Sequence, residues 1–282
     1  MANTYDADLV IDRLAEASIL VLQKKLPALN AFSRDFGADV LKPRATVQVE
    51  KSGTGATAQS NPTNYETGNV TNSNVAVTVA EKTVSFSVAS QELMSGHKLN
   101  TKAEQQLRGL ANAVWAVPEA LLDESVYTNT VVVATEAAID ADDLATGWAS
   151  IGDSIDKHCV LSHAAYSRFN AQNKDQFNHE GGAYNFDTFD NCSQWSNAQD
   201  ANTRGFFCGP NAMAVASGIP LVDPVVANQM EASRVVEIPD LGLSVVINLW
   251  GSTATRTLWA SYGVMFGAAV ADTSALTLYQ TS

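Results

Sequence analysis

Long apolar runs are missing from this chain. No stretch of its 282 residues approaches the roughly 20 consecutive apolar residues that cross a bilayer as a helix, so no membrane partner is expected. The opening Met1-Ala2-Asn3-Thr4-Tyr5-Asp6 lacks the basic and apolar regions of a secretory signal, and a protein made and kept in a cytoplasm is the expectation. Cysteine is scarce. Cys159, Cys192 and Cys208 are an odd number with no CxxC pair, which argues against a disulfide framework and for reduced thiols. Positive charge is scarce too: 17 Lys and Arg face 30 Asp and Glu, a net charge of −13. Affinity for nucleic-acid phosphates comes largely from Lys and Arg, so a dedicated nucleic-acid face is not expected.

Catalytic patterns are equally thin. His158, Cys159 and His163 lie close together and His179-Glu180 follows, but there is no HExxH and no zinc spacing. Cys159 reads as a small core residue of a strand. No G-x-S-x-G elbow is present, and Ser95-Gly96-His97 reads as a loop. Gly53-Thr54-Gly55 has no following Lys and no helix start, so it does not cradle phosphate. The acid pairs Asp142-Asp143 and Asp187/Asp190 read better as helix caps or solvated loop residues than as glycosidase carboxylates. Asn69-Val70-Thr71 and Asn191-Cys192-Ser193 match a glycosylation sequon, which has no meaning without secretion. The residues therefore point to no enzyme, no cofactor and no metal.

What is present is a 46% apolar composition, enough for a real core, and an uneven distribution of acid. Residues 101–157 hold ten acidic and three basic side chains, whereas residues 1–45 hold six of each. A solvated helix face explains this on general grounds; a surface that repels a polyanion is the functional alternative. The most informative stretch is 46–88. Thr46-Val47-Gln48-Val49-Glu50 alternates polar and apolar residues, Val75, Val77 and Val79 alternate again, and so do Val84, Phe86 and Val88. Between the first two runs, Lys51 to Asn74 is almost wholly Ser, Gly, Thr, Ala, Asn and Gln. Compact domains rarely keep a structureless loop above about 15 residues without a use for it. An arm that does not pack on its own domain, held out on two strands, implies a partner that it lies across.

The rest of the chain reads as blocks of helix and strand, an α+β class. Asp6 to Leu26 has helical periodicity, with acids early, Lys24-Lys25 late and Pro27 as its stop. Ser90 to Gly96 reads as a short helical turn. Thr101-Lys102-Ala103-Glu104 is a capping-box pattern that opens the longest helix, whose stripe is Leu107, Leu110, Val114, Val117 and Leu121. Pro118 is expected to kink or divide that helix near Val114 to Val117. Val131 to Val133 reads as a strand, and Asp140 or Asp142 as the cap of a helix through Leu144, Trp148, Ile151 and Ile155. Cys159 to Leu161 reads as a strand, Ala164 to Gln172 as a helix, and residues 173–204 as an elaborated surface loop. Gly205 to Cys208 restarts the core and Pro210 to Ala216 reads as a short helix. Alternation then predicts strands over Leu243 to Leu249, Leu258 to Phe266 and Leu276 to Tyr279.

This order of segments resembles the major capsid proteins of tailed bacteriophages, the Hong Kong 97 fold that encapsulin shells share. Leu26-Pro27-Ala28-Leu29 with Phe32 to Phe36 looks like an arm leading into a first strand, and Thr46 to Val49 like the first strand of an extended loop. Cys159-Val160-Leu161-Ser162 with Tyr166 resembles the entry to an axial domain, and Gly209 to Ala214 a later helix of it. The resemblance implies an N-terminal arm over 1–44, an extended two-stranded loop over 45–82, and a peripheral domain with a long spine helix over 83–141. It implies an axial domain over 142–260 and a last strand returning to the peripheral domain over 261–282. It further implies a virion protein that assembles in a bacterial host's cytoplasm, through hexamers and pentamers, into an icosahedral procapsid that matures around double-stranded DNA without sequence-specific contacts. The chain has no room for a fused scaffolding region, which implies a separate scaffolding protein, with a portal. Inter-subunit contacts are expected at the loop, at Lys51, Thr54, Asn64, Tyr65, Glu66 and Asn69. Lys51 and Lys82 are candidates, by location only, for the Lys–Asn links that some relatives form. A lumen-facing acidic surface is expected at Glu119, Asp123 and Glu124. The alternatives are an encapsulin-like compartment shell and, from another class, a phage tail or adhesion protein.

Overall fold

The structure is a computed structural model; it describes residues 7–51, 73–89, 96–151, 154, 156–172, 188–196, 201–222, 227–252 and 257–282, and the statements below concern these. Helix α1 spans Ala7–Lys25, as its periodicity predicts, and Pro27 opens a short 3-10 turn that leads into β1, Ser33–Leu41. Strands β2 (Thr46–Lys51) and β3 (Ser73–Thr78) form the expected hairpin, and β4 (Ala80–Ala89) follows after one residue.

The long helix α2 spans Gly96–Glu119. It starts five residues before the capping-box pattern, so Thr101 is not its cap but an exposed helical residue. Of the expected stripe, Leu107, Leu110 and Val114 are buried, Val117 is half-buried, and Leu121 is half-buried beyond the helix end; Leu99, Ala103 and Trp115 complete the buried face. Pro118 does not divide the helix. It lies one residue from the helix end, where its missing N–H costs a single bond, and turn bonds from Leu121 and Leu122 to Pro118 and Glu119 replace further helix. The expected short turn over Ser90–Gly96 lies largely outside the described residues.

Strand β5 (Thr130–Val133) precedes α3 (Ala141–Ser150). Asp140 is the cap of α3: its side chain accepts from the amides of Asp142 and Asp143, and Asp143 returns a bond to the Asp140 amide. The helix stops before Ile155, shorter than its apolar spacing predicts. Next come β6 (His158–Ser162), α4 (His163–Gln172), β7 (Thr188–Cys192) and β8 (Thr203–Cys208). The stretch read as one surface loop thus contains β7, paired in parallel with β6. The helix read over Pro210 to Ala216 is a 3-10 turn, Pro210–Ala212, followed by β9, Met213–Pro220. Ala214 and Ala216 have good helix propensity, but β9 lies between two strands, and tertiary pairing overrides that weak preference. The remaining strands are β10 (Ala232–Ile238), β11 (Leu243–Ser252), β12 (Thr257–Val270) and β13 (Leu276–Thr281); β10 was not legible by alternation because most of its side chains are exposed.

Two sheets result. The large one runs β1-β9-β12-β11-β10, with β4 on the far side of β12; the small one runs β5-β13-β8-β6-β7. Even-numbered residues of β12, such as Ala260, Tyr262, Val264 and Phe266, face α1 and α2 in the main core. That core continues across one face of the small sheet through Val160, Phe206 and Leu278, while its other face packs α3 and α4 through Leu161, Phe207, Leu144 and Phe169. Residues 142–260, expected as one domain, contribute strands to both sheets, and β12 and β13 belong to different ones. The class is α+β, as expected. No described helix is long and apolar enough to cross a membrane.

Candidate assembly surfaces

The arm is built on the face of the large sheet that the helices leave open. Period-2 alternation turns Val47 and Val49 of β2 and Val75 and Val77 of β3 to one side. That side meets Ala214 and Ala216 of β9 and Met265 of β12, with Val79 completing the cluster. The root of the arm therefore does pack on its own subunit, which corrects the expectation of a hairpin held clear of it. Gly267 makes the close approach possible: a Cβ there would stand 2.4 Å from the Thr78 carbonyl oxygen. Arg44 precedes the arm with φ 67°, in a turn held by bonds between Arg44 N and Val79 O and between Ala45 N and Lys42 O.

Lys51, at the end of β2, reaches the crossing between the sheets. Its Nζ lies 3.1 Å from Asp272 Oδ2 and donates to Ala271 O at 3.1 Å. Asp272 in turn caps the next turn, its Oδ1 accepting from Ser274 N at 3.0 Å and Ser274 Oγ at 2.7 Å. Partial burial pushes the Asp272 carboxyl up, but the bonds from Ser274 and Lys51 outweigh it and hold the group below the usual carboxylate range. Lys51 is thus engaged inside its own subunit. Thr54, Asn64, Tyr65, Glu66 and Asn69 lie outside the described residues. Lys82 is half-buried on β4.

The three expected acidic residues separate. Glu119 ends α2 and is only 5% exposed, so it is not a surface charge. Its Oε1 accepts from Ser196 N at 2.7 Å and Ser196 Oγ at 3.0 Å. A carboxylate is poorly placed at a helix C-terminus, where the dipole is negative; these bonds offset that and tie the helix end to the segment after β7. Asp123 and Glu124 remain at the surface. Hydrogen bonds from Ser125, side chain and backbone, hold the Asp123 carboxyl below its ordinary value.

Beyond the arm, the same open face of the large sheet carries Trp250 and Trp259, opposite each other on β11 and β12, with ring centroids 6.2 Å apart and planes 12° from parallel. Asn248, Ser261, Val246 and Gly263 continue the face toward the arm, beside Leu221 and Met230. Sequence reading missed this pair, because it is the β11–β12 register that sets the two tryptophans opposite each other. On the opposite side of the molecule, Leu9 and Leu20 of α1 are 53% and 58% exposed. No group of three or more metal-ligating side chains occurs among the described residues.

No family model matches the chain, and no curated protein matches it in sequence. Solved structures do match its fold. The capsid structure of the cyanophage P-SCSP1u aligns over 89% of this chain and 86% of that one, at 12% identity and a TM-score of 0.53. The chain has the Hong Kong 97 capsid fold. The capsid of Ralstonia phage GP4 aligns over 88% and 86% at 9% identity, with a TM-score of 0.53. A virus-like particle from Pyrococcus furiosus aligns over 95% and 98% at 10% identity, with a TM-score of 0.56.

Proposed function

We propose that the chain is a major capsid protein that self-assembles through hexamers and pentamers into an icosahedral shell around double-stranded DNA, and that it performs no catalysis. The observation that carries this reading is the Hong Kong 97 fold over nearly the whole length, on both sides of the alignment, with phage capsids. Three features of the chain support it. A hairpin arm is rooted on one face of the large sheet, a half-buried tryptophan pair lies on that same face, and the net charge of −13 disfavours sticking to a packaged polyanion. Tryptophans are enriched at buried interface centres, where a few residues carry most of the association energy. Weak contacts repeated around closed rings then sum to a stable container. A separate scaffolding protein and a portal complete the proposed partners, with assembly in a bacterial host's cytoplasm. Asp123 and Glu124 are the proposed acidic groups toward the lumen.

The second reading is a compartment shell that holds protein cargo, favoured by the match to the virus-like particle from Pyrococcus furiosus. Negative-stain microscopy of the purified protein, with scaffold where obtainable, tests both. Closed particles support a shell, and a monomer under every condition overturns it. Nucleic acid inside particles isolated from an infected or expressing cell favours the capsid, whereas packaged protein favours the compartment.

A further inference from the structure

Besides the long passage through α2 from β4 to β5, two short crossings join these sheets: residues 209–212 lead from β8 to β9, and residues 271–275 lead from β12 to β13. They lie against each other. The carbonyl of Ala212 accepts from Ala271 N at 3.1 Å, Asp272 N at 3.2 Å and Tyr127 Oη at 3.0 Å, and Gly209 N donates to Ala275 O at 2.9 Å. Ala271 and Asp272 are therefore bound on their amide side to the other crossing, and on their carbonyl and carboxylate side to Lys51 of the arm. A second fixed point is Gly267, where Thr78 of the arm rests on β12 with no room for a side chain. The root of the hairpin is thus held at two places.

We propose that the Lys51–Asp272 ion pair is a latch that couples the direction of the arm to the crossing between the two sheets, so that neither moves without the other. Its use in building a shell rests on the proposed function; the coupling itself belongs to the lone subunit. The pair is about three-quarters buried on the Lys51 side and two-thirds on the Asp272 side, at 24% and 33% exposure, so it is partly shielded from water without being sealed. An isolated surface pair would hold only the hairpin end. This one shares residues 271 and 272 with the bonds that close the crossing, so a disturbance at Lys51 reaches both residues through one hydrogen bond and one ion pair.

Amide hydrogen exchange on the full chain tests this. Lys51→Met removes the charge from the arm, and Asp272→Asn removes it from the crossing while keeping a side-chain oxygen to cap Ser274. For both variants, exchange at the Ala271 and Asp272 amides and along β2 and β3 is expected to rise together, by about two- to five-fold for a partly exposed pair. Lys51→Arg is expected to restore the wild-type pattern. The unsubstituted chain in about 1 M salt, where the screening length is about 3 Å, is expected to show the same joint rise without any variant having to fold. Faster exchange confined to β2 and β3 in Lys51→Met, or no change at either place, overturns the latch. A wild-type chain that never forms particles overturns the shell reading and leaves this result standing.

Discussion

Gly267 shows how much of this architecture rests on single side chains. The Thr78 carbonyl 2.4 Å from its missing Cβ is backbone, not the end of a flexible side chain, so the arm itself must yield to any larger residue. Gly267→Ala is expected to cost about 1–3 kcal/mol, the range for overpacking a filled site, with the arm strands losing exchange protection more than the helices. Urea unfolding and hydrogen exchange measure the two effects. The cysteines make a complementary case. All three are free and buried. Burial pushes the Cys192 thiol up to about 12 and those of Cys159 and Cys208 well above their ordinary value. A thiol reagent at pH 8 is therefore expected to leave all three unlabelled in the native protein and to label all three after unfolding. Labelling of the native chain at any one of them would show that its strand opens readily.

At the scale of elements, the capping of α3 is the clearest test. Asp140 supplies an acceptor to two otherwise unpaired amides, so Asp140→Ala is expected to lower stability by about 0.5–2 kcal/mol, read as a fall in the urea midpoint. The sequence narrowed that cap to Asp140 or Asp142, each ahead of an apolar-periodic run, and the fold selects Asp140. The pattern at Thr101 to Glu104 was equally good and misleading, since the helix had already begun at Gly96 and a cap motif has no means of announcing that it lies inside a helix. Strands whose two faces differ, such as β2, β3 and β11, were readable by alternation. β10 was not, because Ser233, Arg234, Val235 and Glu237 are all exposed. The register that sets Trp250 on Trp259, and the meeting of Lys51 with Asp272, are products of strand pairing across the fold and leave no local trace. Glu119 was misplaced for the same reason. Its partner Ser196 lies beyond two helices and three strands, and only the folded chain brings them together.

For the whole molecule, burial of ionisable groups ties stability to pH at the alkaline end. Tyr127 and Tyr262, like Cys192, are held protonated chiefly by burial, above ordinary values of 10.0 for the tyrosines and 9.0 for the thiol. Groups raised in this way contribute stability that is complete below their unfolded values and is lost as pH climbs toward the folded ones. Each is worth about 1.4 kcal/mol per pH unit once the unfolded form ionises, so three or more acting together are expected to unfold the subunit cooperatively above about pH 10. Circular dichroism across pH 8–12 measures it, and a flat profile would show that these groups reach water in the native state. Assembly makes a separate demand. The subunit core is closed by α1, α2 and the arm root, none of which needs residues 53–72 for the described contacts. Removing 53–72 is therefore expected to leave the subunit's unfolding free energy, measured in urea, unchanged within about 0.5 kcal/mol, the usual range for changes away from packed features. Closed particles are nonetheless expected to become rare by negative stain, because the proposed contacts on the neighbour go with that segment. Full assembly of the shortened chain would turn attention to the sheet face that carries Trp250 and Trp259, and loss of closed particles on substituting that pair by alanine would then place a subunit contact there.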